Sequence, residues 1–316
     1  MIRTIAARLV LGLGTFLAVS MLVFLGMDAL VGDAATAALG RDATPEAVAV
    51  LRKQFGLNRP VAERYTEWIA GLPRGDLGKS LPSGDPVWQI IRDKARNTLL
   101  LALATIVCLV PLSIALGVFA ALRRDSVLDH VVSSGTLVVM ATPEFVVGSL
   151  LAVICATWFT FLPPVSLIDS SEPILPQLIL LVLPVLTLLG ASLAQTIRMI
   201  RASMLEVLDS NYIQMARLKG VPEKRVLMRH ALPNALAPTI TILAFNVAWL
   251  TGGIVVVESV FQFPGLGMAL TQAVSRRDIP TVQAIALIIT GAYISVNLIA
   301  DTAIVLLNPR LRASST

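Results

Sequence analysis

The sequence predicts an all-α integral membrane protein with six transmembrane helices, both termini cytoplasmic, and a small, mainly helical outer element between spans 1 and 2. Three observations predict this class. Hydrophobic residues make up 56% of the 316-residue chain, the mean hydropathy is +0.80 and only 14% of residues are charged, where a soluble domain carries about a quarter. Uncharged apolar stretches long enough to cross a bilayer recur along the whole length. Arginine and lysine gather in alternate intervening segments, as the positive-inside rule requires of cytoplasmic loops.

The first span opens the chain. Leu9 to Met27 is an uncharged run of 19 residues, longer than the roughly 7–15 residues of a signal-peptide core and long enough to cover about 30 Å as a helix. It is read as an uncleaved anchor. Asn97–Leu122 is uncharged and ends at Arg123-Arg124-Asp125. His130–Ile168 carries one charge, Glu144, just after Pro143. Pro173–Ile197 and Ala231–Val257 are uncharged, and Ile279–Leu307 carries only Asp301. The predicted spans are residues 9–29, 97–122, 130–160, 175–197, 236–257 and 280–307 of a single unit covering 1–316.

The third stretch is long enough to raise the question of two crossings, and parity answers it. A single crossing places Arg198, Arg201, Arg217, Lys219, Lys224, Arg225 and Arg229 in the cytoplasm. Two crossings would place all seven outside, against the charge rule.

Residues 30–96 form the predicted outer element, long enough to translocate regardless of charge. Thr44 is a predicted N-cap with Pro45 at the first helical position, and Ala47, Val48, Leu51 and Phe55 form a stripe ahead of Gly56. A second amphipathic helix follows Pro60, with Val61, Tyr65, Trp68, Ile69 and Leu72 on one side. A third begins at Asp85-Pro86 and leads into the second span.

The sequence offers little for catalysis. Gly75-Asp76-Leu77-Gly78-Lys79-Ser80 imitates a phosphate-binding loop, but Pro73 stands where its first glycine belongs. The chain is expected to hydrolyse no ATP and to carry no cofactor, metal or catalytic residue. His130 and His230 lie at predicted cytoplasmic boundaries and belong to no zinc or nucleophile motif. Cys108 and Cys155 lie inside apolar runs. The net charge of +5 is spread between spans rather than gathered in a patch, which argues against nucleic acid.

Glu144 and Asp301 are the charges within crossing segments. Ionisable groups there face protein or water because lipid exposure is expensive. Asp301, near the cytoplasmic end, reads as structural. Glu144 is open between a translocation-path role and a structural one.

The cytoplasmic loop 198–230 carries the most information. It contains a predicted helix over Asn211–Lys219, ended by Gly220 as a left-handed cap, and a new segment from Val221-Pro222-Glu223. Charge alone would make it a solvated linker. Its residues, however, resemble the signature loop of ABC importer permeases, E-A-A, three residues, Gly, nine residues, I-x-L-P. Here the pattern falls on Gln214-Met215-Ala216, Gly220 and His230-Ala231-Leu232-Pro233. Gln214, Met215 and His230 depart from it; Ala216, Gly220, Leu232 and Pro233 keep it.

The loop is similar in particular to the dipeptide/oligopeptide permease group, as are Glu258-Ser259-Val260-Phe261, Pro264-Gly265-Leu266-Gly267, Arg277-Asp278-Ile279-Pro280 and Asn297-Leu298-Ile299-Ala300-Asp301. Asn308-Pro309-Arg310 also fits, with Asn308 where the family commonly has Asp. Phe55-Gly56-Leu57, Tyr65, Trp68 and the Gly75–Ser80 segment resemble the outer part of the first of the two permeases.

The resemblance implies half of the translocation pathway of an ATP-driven importer in a prokaryotic inner membrane, with di- or oligopeptides as cargo. It implies a second homologous permease, two ATP-binding subunits or one fused pair that hold ATP and magnesium, and an extracytoplasmic solute-binding protein. Gln214, Ala216, Arg217, Lys219, Gly220, Leu232 and Pro233 would couple the ATPase to the bundle. Nickel chelates, glutathione or sugars are alternative cargos. An ion-coupled secondary transporter using Glu144, and an outer-face receptor built on residues 30–96, are the competing classes.

Overall fold

The computed structural model describes residues 2–29, 36, 44–54, 56–159, 161–169 and 172–307, without the side chains of 2–5, 191, 237, 241, 244, 248, 251, 300, 301 and 303–307. The expectations for Phe55, most of 30–43 and Asn308-Pro309-Arg310 lie outside the described residues. In chain order the helices are α1 (Ile2–Ala29), α2 (Pro45–Gln54), α3 (Val61–Gly71), α4 (Val87–Leu122), α5 (Val127–Ala141), α6 (Glu144–Thr157), α7 (Ile174–Leu208), α8 (Asn211–Leu218), α9 (Leu232–Val260), α10 (Leu266–Ser275) and α11 (Ile279–Leu307). Among the described residues the only β-pairing is an isolated bridge, Lys79 with Pro86.

Ala6–Ala29, Val87–Leu122 and Ile279–Ile299 are each long and apolar enough to cross a bilayer. Three further stretches qualify only as bent pairs, so among the described residues the candidate spans number three to six. The largest bend, 106°, falls between α5 and α6. Pro143 has no N–H to donate and steers Thr142 out of the helical region; Thr142 is extended, with ψ 125°. With 15 and 14 residues, α5 and α6 each reach only about 21–23 Å, short of a full hydrocarbon core on their own. The third predicted span is therefore a corner rather than a rod. The two milder bends, 51° and 50°, fall at Gly190–Ser192 in α7 and Val247–Gly252 in α9.

The chain divides into two compact units, one built around Leu100–Phe263 and the other around Ala6–Leu99 with Pro264–Ile294. The first unit has two cores. Leu101, Leu109, Leu183, Leu188, Leu250, Val257, Phe261 and Phe263 form one, among α4, α7 and α9. Small residues bring the helices together: a Cβ at Gly148 would lie 3.0 Å from Thr187 Cγ2, so α6 meets α7 at glycine distance. Ala121, Ile200, Met204, Ile213, Val226, Ala231 and Ala235 form the second core, which gathers the ends of α4, α7 and α9 around α8.

In the second unit, Thr44 caps α2 as expected, its Oγ1 accepting from Ala47 N at 3.3 Å. The apolar side of α3 lies on α1: Tyr65 and Trp68 pack around Phe24, and Ser20 Oγ meets Tyr65 OH at 2.9 Å. The loop that imitates a phosphate site has a structural task. Asp278 accepts from Ser80 Oγ at 2.6 Å, Leu81 N at 3.0 Å and Thr281 Oγ1 at 2.6 Å. Arg277, at φ 54°, forms the turn that delivers Asp278 to this position, its N–H bonding Val274 O and that of Asp278 bonding Ala273 O.

Replacing this buried carboxylate strands three donors. Asp278→Ala is expected to lower folding stability by about 2–3 kcal/mol, since each stranded buried group costs on the order of 1–3 and relaxation recovers part. Thermal unfolding of the purified protein in detergent, beside Ser80→Ala as the smaller loss, measures it.

Candidate functional site: the capped loop between α7 and α9

α8 is an eight-residue helix laid against the ends of longer ones. Its anchor is Ile213, fully buried in the second core with Ile200 and Met204 of α7 and Val226 later in the loop. Ala216, one turn on, packs against the same core. The opposite face carries Met215 and Leu218, the latter 82% exposed, and Met228, later in the loop, is also exposed.

The helix ends in a complete Schellman motif. Gly220 stands at φ 74°, its N–H bonding Arg217 O at 2.9 Å while Val221 N bonds Ala216 O at 3.2 Å. Both C-terminal carbonyls are thereby satisfied, and Ala216 and Val221 supply the apolar contact that accompanies the motif. A Cβ at Gly220 would meet nothing within 4 Å. The position is restricted by its backbone angle alone, and a side chain there would extend into open space.

Beyond the cap, one helical turn, Glu223–Arg225, passes into a π-helical stretch, Val226–Ala231. Pro233, just inside α9, has no N–H for the carbonyl of Arg229, and the wider turn makes room for its ring. The His230 carbonyl is met by Tyr212 OH at 3.1 Å and Asn234 Nδ2 at 2.7 Å, so α8 is stitched to the start of α9. Arg217 donates to Glu223 from Nε at 3.2 Å and Nη2 at 2.7 Å, bridging the cap.

Arg217 therefore belongs to the internal scaffold of the loop. Its hydrogen bond and charge hold the Glu223 carboxyl below its ordinary value, with partial desolvation opposing. The contribution to stability is therefore complete above the unfolded pKa and fades as pH falls through the lowered folded one. Of the other predicted residues, Ala216 and Leu232 pack on the core, Gln214 Nε2 bonds Asp209 O at 3.3 Å, and Gln214, Lys219 and Pro233 are exposed.

Glu144, one of the two charges predicted within crossing segments, is not part of this loop. Glu144 begins α6 at the 106° corner. A Cβ at position 253 would lie 2.7 Å from Glu144 Oε2, so Gly253 is what lets the carboxylate approach α9. Its Oε1 is buried without a hydrogen-bond partner. Asp301 falls within α11, and its side chain lies outside the described residues.

One charged pair was not singled out from the sequence. Asp129, at the start of α5, accepts from Arg201 of α7 at 2.6 Å and 2.7 Å in a bidentate pair, with the Asp129 side chain only 3% exposed. Ser126 Oγ accepts from Asp129 N, and Asp129 Oδ2 accepts from Asp125 N. The spacing Ser126-x-x-Asp129 is a capping signal, and that was the available clue; the pairing across 72 residues had none.

With this geometry in place, comparison with known proteins is direct. Residues 113–313 match the family described as "Binding-protein-dependent transport system inner membrane component", and residues 1–102 match its N-terminal counterpart. The chain belongs to this family of transport-system membrane components. It is 35% identical over 312 residues to a putative peptide transport system permease protein of Brucella abortus, with 99% of each chain covered. It is 33% identical to the dipeptide transport system permease protein DppB of Escherichia coli, again with 99% of each covered, and 32% identical to a probable peptide ABC transporter permease protein of Sinorhizobium fredii, with 98% of each covered.

Removing Asp129 leaves the partly buried Arg201 without its carboxylate, and removing Arg201 leaves the buried Asp129 without its cation. Asp129→Ala is expected to destabilise the folded bundle by about 3 kcal/mol, the lower end for breaking a buried pair because Arg201 keeps some solvent contact. The double variant Asp129→Ala/Arg201→Met should recover part of the loss. A thermal-unfolding series of the two single variants and the double variant checks this, and equal losses for all three would contradict it.

Proposed function

We propose that this chain forms half of the translocation pathway of an ATP-driven, solute-binding-protein-dependent importer of di- or oligopeptides. The full-length relatives named as peptide or dipeptide permeases support the class and the cargo. The observation that carries the mechanism is the loop: a glycine-capped helix with an apolar outer face and its inner face rooted in a core shared by three long helices. Such a helix suits a groove on a separate ATPase, since exposed Met and Leu beside Lys219 on an otherwise polar loop leave apolar area for a partner to cover.

In this reading the chain crosses the inner membrane six times, counting α5 and α6 as one broken span, with both termini and loop 198–230 in the cytoplasm and 30–96 outside. A second homologous permease completes the pathway. Two ATPase subunits, or one fused pair, dock beneath and supply ATP and magnesium. A solute-binding protein delivers cargo to the outer element. Gln214, Met215, Leu218 and Lys219 meet the ATPase, Gly220 keeps the approach open, and Ala216, Leu232 and Pro233 transmit its motion. Closure of the ATPases displaces α8, and Ile213 passes the displacement to α7 and α9, tilting the bundle between inward- and outward-open states. Glu144 serves as a polar group of the pathway and Asp301 as a structural one. Nickel chelates, glutathione and sugars are the alternative cargos.

Gly220→Leu tests the mechanism. A non-glycine residue at φ 74° costs about 1–2 kcal/mol, and the leucine side chain also projects into the docking space. The variant is expected to insert normally and to lose ATPase retention or coupled uptake by an order of magnitude or more in reconstituted vesicles. Gly220→Asn tolerates the backbone angle with a smaller side chain and should lose less, and Lys219→Ala less still. Full uptake by Gly220→Leu would return the loop to an ordinary basic linker.

A further inference from the structure

Three bends fall in the candidate spans of the first unit: after Ala141, at Gly190–Ser192 and at Val247–Gly252. All three helices contribute to one cavity of about 230 Å3, several times the ~30 Å3 of liquid volume that one water occupies. Met140 reaches it from the residue before the first bend, Ser192 and Gln195 from the second, and Phe245, Asn246 and Trp249 from the third. Within a bilayer, irregular backbone is tolerated where it is buried in protein or lines a polar cavity. Coincident bends around one cavity with polar walls point to a site rather than to loose packing.

The polar side of the cavity is built and partly unused. Ser192 is 1% exposed, yet its Oγ has no hydrogen-bond partner. Asn246, also buried, gives its Nδ2 to Ser192 O at 3.3 Å and Thr196 Oγ1 at 2.8 Å. With the amide nitrogen committed to α7, Oδ1 is the atom left to accept. A hydroxyl able to donate and a fixed carbonyl oxygen able to accept are the two complements of a peptide group. Gln195 adds a further amide to the polar side, and the other three lining residues, Met140, Phe245 and Trp249, are large, apolar and, at Met140, flexible, which suits side chains of varied shape.

We propose that this cavity is a membrane-embedded subsite for the cargo, in which Ser192 Oγ donates to the carbonyl and Asn246 Oδ1 accepts from the N–H of one peptide group, while Met140, Phe245 and Trp249 receive the neighbouring side chain. The proposal rests on the peptide-importer reading above. It adds that recognition inside the membrane is directed at the main chain, so that cargo sequence matters less than the presence of an amide.

The test uses the assembled complex in vesicles, with Met140→Cys introduced in a background lacking Cys108 and Cys155. The rate of labelling by a membrane-permeant maleimide is measured against increasing Ala-Phe, and uptake of the same dipeptide is measured in parallel. Ala-Phe is expected to slow the labelling. Ser192→Ala removes a hydroxyl that has no partner in the empty protein, so its thermal midpoint should be equal or higher, while the half-protecting concentration of Ala-Phe rises roughly three- to tenfold, the worth of one hydrogen bond. Asn246→Leu should weaken protection at least as much. Uptake of Ala-Phe without any protection at position 140 would overturn the subsite alone and leave a water-filled cavity. Protection unchanged in Ser192→Ala would equally overturn it. Absence of Ala-Phe uptake by the parent complex would remove the peptide reading itself, and the subsite with it.

Discussion

Ile213 and Ile200 are both fully buried in the same small core, and the placement of α8 depends on that core. α8 alone is eight residues long, too short to persist as an isolated helix in water. Its stability comes from the apolar side it lends to α7 and to the segment entering α9. The ends of the long helices are held to one another by the same packing. Gly117 sets the approach of α4: a Cβ there would lie 2.7 Å from Ile200 Cβ and 3.0 Å from the carbonyl of Ile197. Close-packed side chains resist compression, so a displacement applied to one element of the cluster reaches the others.

Within each unit, some buried polar groups are fully satisfied and others are not. Asp129 with Arg201 and Asp278 with Ser80, Leu81 and Thr281 are complete, and each holds two distant segments together. Glu144 Oε1 and Ser192 Oγ are buried and unpartnered. Both lie at bends in the candidate spans, and an unmet polar atom at such depth is expensive unless something else meets it.

Most of the local structure was legible in the sequence because it depends on neighbours along the chain. The Thr44 cap, the apolar side of α3 and the left-handed Gly220 follow from residue type and spacing. The corner at Pro143 was half legible: a proline beside a lone carboxylate was visible, but a bend of 106° depends on packing that spacing does not encode. Long-range partners left no one-dimensional trace. Ser80 and Asp278 stand 198 residues apart, and the loop containing Ser80 looked like a failed phosphate site until Asp278 met it. Arg217, which the resemblance places among the coupling residues, also has a partner that no motif announced: Glu223, six residues on, accepts from it at 2.7 Å.

The central claim is that α8 moves as one body with the helix ends that its core joins. Double electron–electron resonance between spin labels at Arg123→Cys, beyond α4, and Lys219→Cys, at the cap of α8, measures this directly in the assembled complex without nucleotide and with ATP trapped before hydrolysis. The account predicts one distance distribution, unchanged between the two states, while the distance from either label to a site on the second permease shifts. A change in the Arg123–Lys219 distance on ATP binding, with the helix ends stationary relative to the second permease, would show α8 flexing on its own and would contradict the account.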